Sequence, residues 1–191
     1  MSLKKILIES EQDAWTNLSE DIIDFLDEEG YIYRYLDEGT EGYIFELLNK
    51  DKLIKVVPHD SPSKVYEIIE GKDIPNVMKV FFYKRFQDGY VIVMERLNPI
   101  GETDDNALDA IEHISMAETT SLVEEHENII NLIENGDLNP EVLEIYDQLA
   151  KGVLELKKMG IDYKDVWWRN VAQDDKGEYY LIDLDSSRVY A

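Results

Sequence analysis

Two stretches near the end of the chain gather oxygen-bearing side chains among aromatic and apolar neighbours. The first is Tyr163-Lys164-Asp165-Val166-Trp167-Trp168-Arg169-Asn170-Val171, and the second is Tyr180-Leu181-Ile182-Asp183-Leu184-Asp185. Carboxylates and a side-chain amide are hard oxygen donors. They suit Mg²⁺, which takes few protein oxygens and completes its shell with water and substrate phosphates. A carboxylate in such a cluster also suits a hydroxyl proton, as a general base. An Asp five residues before an Asn is common by itself, and both residue types favour turns for structural reasons. Much earlier, Leu53-Ile54-Lys55-Val56-Val57 sets one lysine in an apolar run. Taken alone, Lys55 reads as a strand lysine snorkelling to the surface.

The elements that must position these residues are legible from periodicity. Trp15, Leu18, Ile22, Phe25 and Leu26 fall at helical spacing with an acidic opposite face, and Gly30 ends the run. Residues 31–97 read as a small antiparallel sheet with one helix. Its strands are Tyr31–Leu36, Gly42–Leu48, Leu53–Val57, Val77–Arg85 and Tyr90–Leu97, and its helix covers 61–70. Residues 98–139 read as mostly helical, with an apolar face from Leu122 to Ile133 and a stop at Asn135-Gly136. Asn139 is a natural N-cap and Pro140 suits the first helical position, so a helix is expected over 140–160. Val166–Ala172 and Tyr179–Ile182 then read as strands around the turn Asp174-Asp175-Lys176-Gly177.

In this order the motifs resemble the protein kinase-like superfamily. Its catalytic loop places an Asp five residues before an Asn, as in H-R-D-L-x-x-x-N, and a metal-binding Asp follows a short hairpin. Asp165, Asn170 and Asp183 match those positions. The resemblance implies a two-lobed α+β fold with a small antiparallel sheet lobe and a reduced helical lobe. It implies ATP and Mg²⁺, with Asp165 as catalytic base and Asn170, Asp183 and Asp185 at the metal. Lys55 would pair with the nucleotide phosphates, as the lysine of the V-A-I-K strand does. Gly39 and Gly42 fall in a partial match to the Gly-rich loop, and the backbone from Glu95 to Leu97 would face adenine. Glu67, or else Glu70, would be the ion-pair partner of Lys55; an exposed glutamate is the plain alternative.

This sequence departs from the family at several positions. Tyr163-Lys164 stands where His-Arg is usual, Asp37 replaces one glycine of the loop, and Asp185 stands at the Gly of D-F-G. The form Ile182-Asp183-Leu184-Asp185 is more similar to aminoglycoside, choline and lipopolysaccharide-core sugar kinases. The chain stops six residues after Asp185, which implies that the acceptor site is built elsewhere, with the helical insert 98–139 as the candidate.

Composition bounds the rest. The chain has 191 residues, 44% of them apolar, enough for a core or two small lobes. Three segments are expected: an acidic helix in 1–30, the sheet lobe 31–97, and 98–191 with the insert and catalytic loop. Acidic residues number 42 against 19 basic, a net charge of −23. Such a chain repels phosphate backbones, so direct nucleic-acid binding is not expected. The acid excess reads as a solvated surface or as a face for a basic partner protein. With no cysteine, no signal-peptide pattern and no long apolar run, a soluble cytoplasmic protein without membrane contact is expected. His59, His113 and His126 fit no metal-ligand spacing. Of the adjacent Trp167 and Trp168, one is expected to pack and the other to lie at the surface. Two functions follow: a Mg-ATP phosphotransferase acting on a hydroxyl, or a pseudokinase-like binding module.

Overall fold

Runs such as Gly89-Tyr90-Val91-Ile92-Val93-Met94-Glu95, apolar and β-branched, cannot stay in water and have too few residues for a stable helix, so they pair into a sheet. The computed structural model describes residues 20–31, 33–38, 42–48, 50–57, 64–87, 89–117 and 121–190. Trp15, Leu18, Gly39 and His59 lie outside the described residues. The fold is α+β, and the chain divides into two compact units.

The first unit comprises the described residues of Met1–Pro62, Glu70–Lys72 and Lys79–Arg96. Helix α1 (Glu20–Glu28) is followed by β1 (Tyr33–Glu38), β2 (Tyr43–Leu47), β3 (Lys52–Val57), β4 (Val80–Phe86) and β5 (Gly89–Glu95). They form a five-stranded antiparallel sheet of order β1-β2-β3-β5-β4. Ile22, Phe25 and Leu26 of α1 bury against Phe45, Ile54, Val56, Val91 and Val93. The Phe25 ring stacks on Phe82 at 5.6 Å, and the Lys84 ammonium sits 4.1 Å from the centroid of the same Phe25 ring. Buried Glu46 on β2 is held by the guanidinium groups of Arg34 and Arg96.

The second unit comprises the described residues of Ser63–Ile69, Asp73–Met78 and Leu97–Ala191. It holds α2 (Lys64–Ile69), β6 (Asn98–Pro99), α3 (Asp105–Met116), α4 (Leu122–Asn135) and α5 (Pro140–Lys158). After these come β7 (Ile161–Asp162), a 3-10 turn (Trp168–Asn170), β8 (Val171–Gln173), β9 (Tyr179–Leu181) and β10 (Arg188–Val189). Helix α5 is the centre of the unit. Asn139 caps it through the Glu141 N–H at 3.0 Å, and Val142, Ile145, Tyr146, Leu149 and Leu156 are buried along it. Gly152 lets β9 approach: a Cβ there would lie 2.7 Å from the Asn76 carbonyl oxygen and 3.0 Å from Leu181 Cδ1. Asn76, at φ 57°, donates its amide to the Tyr179 carbonyl at 2.9 Å. Asn tolerates this left-handed backbone better than a branched residue would.

Several boundaries differ from the sequence reading. The strand expected from Val77 begins at Val80, because Val77 makes a lone parallel bridge to Leu181 instead. The insert 98–139 opens with β6, paired to β8, before its two helices. The run from Val166 is broken by the 3-10 turn at Trp168–Asn170, so only Val171–Gln173 is strand. Helix α2 and Asp73–Met78 belong to the second unit, although they lie within 31–97.

Candidate functional site

The second unit brings Asp165 and Asn170 into direct contact. The Asn170 Nδ2 donates to the Asp165 carbonyl oxygen at 3.0 Å and to its Oδ2 at 3.1 Å. With the amide nitrogen turned to Asp165, the acceptor end of Asn170 is its Oδ1, the atom type that Mg²⁺ takes. The loop is tied down by its backbone. The Asn170 N–H donates to the Trp167 carbonyl at 2.7 Å, and the Ile182 N–H donates to the Asn170 carbonyl at 2.8 Å. That second bond fastens the loop to the residue before Asp183.

Asp183 sits at φ 51°, left-handed backbone in a residue with a Cβ. Such strain costs about 1–3 kcal/mol and persists only where the surroundings impose it. The next residue shows how it is imposed. Leu184 is fully buried, and its N–H donates to the Tyr66 hydroxyl on α2 at 3.1 Å. A short turn follows, closed by the Ser187 N–H on the Leu184 carbonyl at 3.1 Å. It carries half-buried Asp185, and it places the Ser186 hydroxyl 3.2 Å from Asp165 Oδ2.

Tyr163 stands among these groups. Its hydroxyl donates to the Ile182 carbonyl at 3.2 Å. Burial pushes its hydroxyl well above the ordinary tyrosine range, and the charges of Asp165 and Asp183 push the same way against an opposing bond from Asn170. Tyr163 therefore stays a neutral donor. One side chain thus feels Asp165, Asn170 and Asp183 together.

The remaining candidates are placed as follows. In the first unit, Lys55 is buried at the centre of β3, opposite Ile44 on β2 and Ile92 on β5. Gly42 precedes β2, where a Cβ would meet the Val56 carbonyl oxygen at 2.3 Å, so strand packing alone demands glycine. Glu95 is bound on both its backbone and its side chain: its N–H donates to the Lys79 carbonyl at 2.9 Å and its Oε2 accepts from the Lys79 N–H at 3.3 Å. In the second unit, Leu97 is buried and Glu67 is exposed on α2. Glu70, in the first unit, accepts from the Tyr83 N–H at 3.0 Å. Trp167 is exposed, while half-buried Trp168 carries the Arg169 guanidinium 4.8 Å over its ring.

Among the described residues no three His, Asp or Glu side chains form a ready-made metal cage. Asn170, Asp183 and Asp185 carry one amide oxygen and two carboxylates, oxygen donors of the type that Mg²⁺ takes. A groove of ≈ 460 Å³ lined by Leu122, Tyr146, Ala150 and Leu154 includes none of these residues. Tyr66 and Ser186 have roles the sequence reading missed. Tyr66 lies 118 residues from its partner Leu184, and no local pattern marks such a pairing. No family model matches the chain, and no curated protein matches it in sequence.

Proposed function

We propose that the chain is a Mg-ATP-dependent phosphotransferase of two-lobed, protein kinase-like fold, acting on a hydroxyl of a protein or small molecule. The observation that carries this reading is the cluster of Asp165, Asn170 and Asp183 around Tyr163, with Asp183 held in left-handed backbone. Phosphoryl transfer asks little covalent chemistry of a protein; it asks for positioned phosphates, a metal and an acceptor held in line. Bound Mg²⁺ supplies neutralisation of the phosphate charge. Asn170 and Asp183 hold it, and Asp185 lends a second carboxylate. Asp165 Oδ2 takes the proton of the acceptor hydroxyl. Tyr163 stays protonated and ties the loop to Ile182. In this reading Lys55 contacts the phosphates.

The test is a calorimetric titration with Mg-ATP beside an ATP-turnover assay. Binding that depends on Mg²⁺, with turnover, is the expected result; a chain that binds no Mg-ATP refutes the reading. A melting curve serves as a quick screen, because saturation at 100 times the dissociation constant adds about 2.7 kcal/mol.

A second reading rests on a different observation. Glu20, Asp21, Asp24, Asp27 and Glu28 are all exposed on α1, with no basic residue in its last turn. In a chain of net charge −23 this face suits a basic partner protein, and the chain is then a pseudokinase-like binding module. A salt-sensitive complex formed without any nucleotide binding would select it.

A further inference from the structure

We propose that Ser186 is an internal phosphoryl acceptor, so that the chain modifies itself at this hydroxyl; the inference rests on the phosphotransferase reading above. The Ser186 hydroxyl is exposed and already donates its proton to the candidate base, Asp165 Oδ2, at 3.2 Å. That is the relation an acceptor hydroxyl must reach before transfer. Asn170 donates to the same carboxylate oxygen at 3.1 Å, so the carboxylate is fixed as it receives the hydroxyl.

The turn that carries Ser186 is anchored rather than loose. Leu184 is buried and bound to the Tyr66 hydroxyl, and the Ser187 N–H closes the turn on the Leu184 carbonyl. The other described serines are committed differently. Ser115 donates to the Val166 carbonyl at 3.1 Å, and Ser121 caps α4 by accepting from the Glu124 N–H at 3.1 Å. The Ser187 hydroxyl is buried with no hydrogen-bond partner among the described residues, so it faces no base. Only Ser186, within this set, offers an exposed hydroxyl to a carboxylate of the cluster.

The step balances. Ser186 Oγ attacks the terminal phosphorus of a nucleoside triphosphate, and an O–P bond forms. The bond from that phosphorus to its bridging oxygen breaks, the nucleoside diphosphate leaves with the electron pair, and the hydroxyl proton passes to Asp165. The product carries a phosphate of about −1.5 to −2 charges beside Asp165. Like charges then part the Ser186–Asp165 contact, so each chain reacts once.

The experiment uses the full chain with Mg-ATP, followed by intact-mass and peptide-level mass spectrometry. One phosphoryl group on Ser186 is expected, at a rate independent of protein concentration. Ser187→Ala should be modified as wild type is, whereas Ser186→Ala and Asp165→Asn should stay unmodified. A nucleotide-free readout tests the contact itself. Ser186→Asp, which sets a carboxylate against Asp165, should melt below Ser186→Ala at low salt, and added salt should narrow the gap. Equal melting of the two at low salt would overturn the contact and the inference with it. A wild type that turns over Mg-ATP while Ser186 stays unmodified overturns the inference alone, and one that binds no Mg-ATP removes the parent reading as well.

Discussion

Asp165 and Asp183 are the same residue type in different employment, and substitution separates them. In the proposed site Asp183 holds a cation, so Asp183→Asn removes a negative charge from a divalent ion. Mg-dependent nucleotide binding should weaken at least about tenfold, or about 1.4 kcal/mol. Asp165→Asn leaves the cation's ligands in place. Its nucleotide affinity should stay close to wild type while turnover falls about 10²–10⁴-fold, the usual worth of a general base. Lys55→Met should resemble Asp183→Asn, since it withdraws a phosphate contact. Titration calorimetry with Mg-ATP beside a turnover assay on the three variants checks this, and unchanged turnover in Asp165→Asn would refute its role. At this scale the sequence singles out the residues that the fold sets around Tyr163. Asp165, Asn170 and Asp183 are marked by type, spacing and order. Tyr66 and Ser186 are not, because an ordinary tyrosine and serine acquire their partners only through folding.

Helix α5 shows which elements a sequence announces. Its N-cap, its proline and its apolar stripe all lie within the helix, so Pro140–Lys158 falls inside the expected 140–160. The pairing of β7 with β10 joins Ile161–Asp162 to Arg188–Val189, and runs of two residues carry no period to read. The same holds for β6 and for the placement of α2 in the second unit, which are decided by distant partners. Gly152 makes the packing of α5 testable. In a free helix Gly→Ala gains about 1 kcal/mol of propensity. Here the new methyl meets a backbone oxygen at 2.7 Å, which cannot swing away as a side chain can. Overpacking at about 1–3 kcal/mol should therefore win, and Gly152→Ala should lower stability in urea melts. A stabilised variant would mean that the backbone at Asn76 yields easily. A second test concerns α3 and α4, which meet through buried Glu125. His113 Nδ1 lies 2.6 Å from its Oε1, and the Asn128 amide donates to the same oxygen at 3.0 Å. Burial raises the Glu125 carboxyl, but these hydrogen bonds outweigh it and hold it below the ordinary range. A carboxyl lowered on folding binds its proton more readily in the unfolded chain. Its contribution is thus present above the ordinary glutamate range and lost as pH falls through the folded value. Glu125→Gln should cost about 1–3 kcal/mol at neutral pH, with the gap to wild type narrowing in acid. A gap constant with pH would show that the charge plays no part.

The whole molecule is governed by its acid excess. With 42 acidic and 19 basic residues, most carboxylates have no cation to pair with, and bringing them together in a compact state costs energy. Salt acts on two opposed effects. It weakens ion pairs near the surface such as that of Lys158 with Glu155, 2.7 Å apart. It also screens the repulsion among the excess acids, over about 10 Å at 0.1 M. Exposed pairs contribute only about 0–1 kcal/mol each, whereas the repulsion is shared by every acid in surplus, so screening should win. The melting temperature at neutral pH should rise as sodium chloride goes from a few millimolar to about 0.15 M. One kilocalorie of relief corresponds to about 2–4 °C for a chain of this size. The same imbalance sets what the protein meets. Plain duplex DNA or RNA should show no retardation with it in a gel at moderate salt, because phosphates are repelled rather than drawn in. A basic protein captured by the exposed acids of α1 should be released as salt rises. A melting temperature that falls steadily with salt would reverse this picture, because it would mean that a few well-placed ion pairs outweigh the surplus charge in holding the fold.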